Sequence, residues 1–161
     1  MKELLSKLSS YNIFNYLLPG VVFAGISPLV SDYSFVHENL LIAAFLYYFI
    51  GLVISRVGSL VVEPILKKLG FVRFAEYRNF VTASKKDERL EVLSEVNNTY
   101  RTLCSLFLLL LIIKLYGSLE SYFAFLKDWD VVILSVLLFV MFLFSYRKQT
   151  SYITKRIDAN G

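Results

Sequence analysis

The chain has 161 residues, of which 57% are hydrophobic and only 19% charged, with a formal charge of +4. Soluble domains are less apolar and more highly charged than this, so the composition points to a bilayer as solvent rather than water. A single Cys104 excludes an internal disulfide and any multi-cysteine metal site, and a single His37 excludes a histidine cluster.

The first apolar stretch, "YNIFNYLLPGVVFAGISPLV", covers residues 11–30. Lys2 and Lys7 precede it, as in a secretory leader. Its length, its Pro19 and Pro28 and the three further spans that follow argue for a retained span instead. Asn12 and Asn15 read as interfacial or interhelical hydrogen-bonding residues, and Pro19-Gly20 as a kink. A short acidic loop, "SDYSFVHEN", leads to the second span, residues 40–57.

Arg56 closes that span, where its guanidinium can snorkel to the headgroups. The helix reads on through "VGSLVVEPILKK" until Pro64 ends or kinks it. Gly51, Ser55 and Ser59 recur every four residues and share one face. Small residues at that spacing allow close helix approach in lipid, either between copies or within one chain.

Residues 67–101 are too few for an independent core and read as two helices. "FVRFAEYRNFV" is an amphipathic helix with basic flanks, suited to the membrane surface or to a subunit contact. "SKKDERLEVLSEVNNTYRT" starts near Ser84 and Asp87 with a capping-box-like signal. Leu90, Leu93, Val96 and Tyr100 then form a narrow apolar stripe. No breaker intervenes before the third span, residues 100–117, so one helix is expected from about residue 85 to 116, projecting out of the membrane. Such a stripe suits helix pairing or a cytosolic partner.

Lys114, near the end of the third span, either snorkels to the outer face or lines a pore. The loop "SLESYFAFLKDWD" is acidic and aromatic, and Trp129 and Tyr146 bracket the fourth span, residues 129–147.

Fifteen of the seventeen Lys and Arg residues fall at the N-terminus, in the middle segment or in the tail, leaving Lys114 and Lys127 on the other side. The positive-inside rule therefore expects both termini and the middle segment in the cytoplasm. Topology accounts for the basic charge, so no nucleic-acid partner is expected. The fold expected is all-α: one four-span integral membrane domain over residues 1–161, with a short helical cytoplasmic segment.

No phosphate loop, zinc motif, CxxC or nucleophile elbow occurs, so no catalytic, cofactor-binding or metal residues are expected. Apart from the bilayer, the expected partners are further copies of the chain, through Gly51, Ser55 and Ser59, and a cytosolic protein, through Leu90, Leu93 and Val96. Two functions compete: a membrane-anchored sensor or scaffold, and an oligomeric pore or small ion channel. The pore would need a polar lining, and Asn12, Asn15, Ser105, Lys114 and Ser135 share no obvious stripe.

The segments "NYLLPG", "GLVISRVGSLVVEP" and "SKKDERLEVLSEVNNTYRT" resemble those of small multi-span bacterial inner-membrane proteins without assigned function. In size and layout the chain is also similar to membrane subunits of anti-phage defence systems such as the membrane component of Kiwa. The resemblance implies an inner-membrane location and a defence role, and assigns no residue a role.

Overall fold

The computed structural model describes residues 13–159. The basic residues Lys2 and Lys7 and the expected start of the first span at Tyr11 and Asn12 lie outside the described residues. Five helices follow one another: α1 (Ile13–Val30), α2 (Leu40–Lys68), α3 (Tyr77–Ser84), α4 (Arg89–Tyr122) and α5 (Phe125–Asp158), with no strand among the described residues. All but α3 are long and apolar enough to cross a membrane, which fits an all-α multi-pass membrane protein. The four long helices run up and down between two ends. One end is basic, holding α3 and its flanking loops. The other is acidic, holding the α1–α2 loop and the α4–α5 turn.

Prolines shape the long helices. Ile13–Leu17 and Gly58–Val62 are wide π-helical turns, and a proline follows each, Pro19 and Pro64. A proline lacks an N–H and crowds the carbonyl four residues back. A π turn shifts the ladder by one residue and relieves that crowding. At the second turn the Glu63 N–H donates to the Gly58 carbonyl, five residues back. The helix thus passes through Pro64 and ends at Lys68, not at the proline. Pro28, inside α1, leaves the Ala24 carbonyl without its usual donor, and the Ser27 hydroxyl donates to it instead at 3.3 Å.

The helix ends follow from local chemistry. The Asn39 side chain accepts from the Leu41 and Ile42 amides and opens α2. Gly70, at φ 71°, closes it: Gly70 N–H donates to Lys67 O and Phe71 N–H to Leu66 O, the paired bonds of a Schellman motif. The chain therefore leaves Gly70 extended. Residues 71–76 are not helical, so the amphipathic helix expected over "FVRFAEYRNFV" shrinks to Tyr77–Ser84. The cap before α4 is Asp87, whose carboxylate accepts from the Arg89 amide, while the Ser84 hydroxyl turns back to Val81 O.

The core belongs to three helices. Phe23 of α1, Ile54 of α2, and Leu106 and Leu110 of α4 make the buried cluster. α1 and α2 touch backbone to backbone. A Cβ added at Gly51 would lie 1.6 Å from the Tyr16 carbonyl oxygen, and one at Gly20 would lie 1.7 Å from that of Tyr47. Gly58 faces α4 less closely: an added Cβ would lie 2.6 Å from the Ser105 hydroxyl and 3.3 Å from the Arg101 carbonyl oxygen. The small-residue face Gly51–Ser55–Ser59 is thus buried inside one chain and is not available to a second copy. Of the two uses expected for this face, contact within one chain is the one the fold displays. The reason is geometric: α1 and α4 pack on that face first.

The close approach gives a sharp prediction. Gly51→Leu must push α1 from α2, so it should abolish folded, monodisperse protein in detergent. Gly25→Ala, where an added Cβ meets nothing within 4 Å, should leave the melting temperature within error of wild type or raise it slightly through the better helix propensity. Thermal scans of the purified variants check both.

Candidate functional site

Helix α5 contributes no buried residue. Its lipid-length surface is apolar, yet polar ties hold it to the rest of the bundle at both ends.

At the basic end the tie is Glu63. Its side chain is only 7% exposed. A carboxylate withdrawn from water must be paired. Three cations from three helices meet it: Lys67 one turn on at 2.9 Å, Arg101 of α4 at 2.6 Å, and Lys148 of α5 at 3.6 Å. Lys148 also donates to the Ser59 carbonyl at 2.6 Å and the Ser59 hydroxyl at 2.8 Å.

The proline explains why Ser59 can accept. Its carbonyl would ordinarily receive the Glu63 amide, but that amide is bonded to Gly58. The next amide in a widened turn would come from Pro64, which has none. The π turn therefore leaves the Ser59 carbonyl free for a donor from another helix, and Lys148 supplies it. Sequence, helix defect and interhelical bond form one causal chain.

At the acidic end the tie is Asp130, near the start of α5. The Tyr116 hydroxyl of α4 donates to it at 2.7 Å and the Tyr33 hydroxyl of the α1–α2 loop at 2.9 Å. Tyr33 also contacts Glu120. One phenol has one proton and two acidic neighbours. Burial first, then those hydrogen bonds and the nearby negative charges, push Tyr33 well above the ordinary tyrosine range, so it stays neutral.

Asp130 and Lys148 are 18 residues apart. At a rise of 1.5 Å per residue that is about 27 Å, close to the roughly 30 Å hydrocarbon thickness of a bilayer. The two ties sit where the two membrane faces would fall.

The expected site residues separate. Ser59 belongs to the Glu63 cluster, and Ser55 and Gly51 continue the same buried face towards the acidic end. Arg56 is half-buried on α2, one turn before the cluster. Lys114 is exposed and borders an apolar groove with Ile26, Leu29 and Phe107, far from Glu63. Leu90 is half-buried, while Leu93 and Val96 are exposed, 61% and 44%. Asn15, expected to bond between helices, is buried and accepts from the Thr99 hydroxyl of α4.

Glu63 itself was not among the expected site residues, nor were Arg101 and Lys148 expected to reach inward. A signal existed: Glu63 is the only acid between residues 40 and 75, and it sits in an apolar run directly before a proline. No group of three or more metal-ligating side chains occurs among the described residues.

No protein-family model, curated protein or solved structure matches the chain.

The pairing pattern sets unequal roles for the cations. Arg101→Met keeps much of the apolar stem and removes a charge whose side chain is 19% exposed. Breaking a buried pair typically costs about 3–5 kcal/mol, and we expect a loss near the lower bound. Lys67→Met removes a partner that is 43% exposed and should cost less than about 1 kcal/mol. Equilibrium unfolding in mixed micelles would rank the two; equal losses would contradict this division.

Proposed function

We propose that the protein is a non-enzymatic membrane scaffold or sensor that docks a protein partner at its basic end. Both termini and α3 then lie in the cytoplasm of a bacterial inner membrane, as the distribution of Lys and Arg implies. By its layout the role is in anti-phage defence.

One observation carries this reading. α4 runs on beyond the Glu63 cluster for the 12 residues from Arg101 back to Arg89, about 18 Å of helix. Val92, Leu93, Val96 and Tyr100 are exposed there at 59%, 61%, 44% and 65%. Apolar residues in the spans are covered by lipid. Val92, Leu93 and Val96 lie past the ring of charge that marks the end of the spans, where lipid tails do not reach, and Tyr100 borders the ring itself. A contiguous apolar face in water marks an interaction site. α3 packs against α4 and α5, with Val81 buried and the Tyr77 and Tyr152 rings 6.3 Å apart. The stripe therefore sits on a supported platform, not on a lone helix.

Homo-oligomerisation belongs to this proposal, through the projecting stripe instead of the buried small-residue face. The pore reading has less support. Thr102, Ser105 and Ser27, polar residues deep in the bundle, donate to carbonyls of their own helices. They serve close packing, not a conduit within one chain.

The stripe is testable without disturbing the spans. Leu93→Asp should abolish association with the partner, or with further copies, while insertion and melting temperature stay unchanged. Glu91→Ala, which faces away from Leu93, should be silent. Affinity capture of cytosolic proteins and a detergent-corrected mass, compared across the three proteins, provide the check. Identical partner lists and identical mass for Leu93→Asp and wild type would remove the docking reading.

A further inference from the structure

We infer that the turn after α2, residues 69–74, is a binding site for anionic phospholipid headgroups in the leaflet at the basic end. The inference rests on reading α1, α2, α4 and α5 as membrane spans.

The turn combines exposed apolar side chains with a cluster of basic ones. Leu69, Phe71 and Phe74 are exposed at 73%, 80% and 51%. Lys67, Lys68 and Arg73 stand among them, with no acid until Glu76. Rigid geometry holds this mixture in place. The Schellman bonds and the positive φ of Gly70 stop α2 and send the chain sideways instead of out into solvent. Phe74 folds back so that Lys67 Nζ lies 4.0 Å from its ring centroid. Lys67 in turn bonds Glu63. The turn is thereby fastened to the charged ring at the end of the spans.

Position decides the occupant. The stripe of α4 runs on to about 18 Å past that ring, whereas Phe74 is drawn back to the ring through Lys67, which bonds Glu63. Exposed Phe and Leu at that level have the acyl-chain boundary within reach. Charge then selects the headgroup. Of the three cations only Lys67 is paired among the described residues, with Glu63, and juxtamembrane basic residues attract anionic lipid. Lys67 is partly engaged by Glu63, so Lys68 and Arg73 are the residues left to meet phosphate, with Phe71 as the apolar anchor.

The test uses a single tryptophan as reporter. Trp129 is the only Trp in the chain; Trp129→Phe with Phe71→Trp places the reporter in the turn. The full chain is reconstituted in vesicles of zwitterionic phosphatidylcholine containing a minor fraction of phosphatidylglycerol. In one set the phosphatidylglycerol carries brominated acyl chains; in the other an equal fraction of the phosphatidylcholine does. Bromines quench only nearby indole. Quenching by brominated phosphatidylglycerol should exceed that by brominated phosphatidylcholine at least twofold. Lys68→Glu with Arg73→Glu should abolish that preference, and millimolar inorganic phosphate should not.

Equal quenching by both lipids would overturn the headgroup site, leaving a plain interfacial anchor. No quenching by either would mean that the turn faces water or a protein, and would also overturn it. Competition by free phosphate would reassign the site to a soluble anion. A control reporter at Phe139, exposed midway along α5, separates the two levels of the argument. Phe139→Trp in the Trp129→Phe background should be quenched by both lipids; its failure to be quenched would remove the membrane reading itself and the proposal with it.

Discussion

A carboxylate inside an apolar bundle cannot stand alone, and the rest of this structure arranges itself around that constraint. Glu63 lies on α2, but its charge is balanced from α2, α4 and α5 together. A buried ion pair adds little net stability compared with apolar packing of the same shape. What it opposes is misalignment, because any helix arrangement that leaves Glu63 buried and unpaired carries the cost of a bare charge. Register between three helices is thereby set at one point. Pro64 makes the point two-sided: the widened turn before it aims one carboxylate and one free carbonyl at the same lysine.

The fourth long helix depends on this most. α1, α2 and α4 share a core of Phe23, Ile54, Leu106 and Leu110, and the α1–α2 backbones meet at Gly20 and Gly51. α5 has no such anchorage. Its main ties are Lys148 at one end and Asp130 at the other, with a looser ring contact from Phe142 to Phe49 between them. Elements with few buried contacts open at the lowest free energy. The bundle is thus a rigid three-helix unit with a fourth helix held by polar ties one bilayer thickness apart.

Much of this architecture is legible in the sequence. The four apolar runs, the acidic and basic ends and the uninterrupted passage from "SKKDERLEV" into the third span all appear in the fold. Periodicity and composition act locally, and local signals suffice for helices in an apolar chain. Three features were not legible, for one physical reason. The burial of Glu63, the inward reach of Arg101 and Lys148, and the choice between the two expected uses of Gly51 depend on which helices meet, and no single helix's pattern contains that information. "FVRFAEYRNFV" failed differently: its period is helical, but Gly70 fixes the chain's exit direction and overrides it. The candidate site was therefore half readable. Ser59, Leu93 and Val96 could be picked out from spacing, whereas Glu63, which meets the same Lys148 as Ser59, was marked only as a lone acid in an apolar run.

The central claim is that Glu63 and Lys148 act on each other, and a double-mutant cycle measures that directly. Glu63→Gln, Lys148→Met and the double variant would be compared with wild type by equilibrium unfolding in mixed micelles. Lys148→Met alone leaves Glu63 short of one cation, and Glu63→Gln alone leaves three cations facing one another. The double variant removes the unbalanced carboxylate and leaves only Lys67 and Arg101 facing each other. The account predicts that the double variant loses less than the sum of the two single losses, with a coupling of at least about 1 kcal/mol. Additivity within about 0.3–0.5 kcal/mol, the behaviour of independent sites, would contradict it.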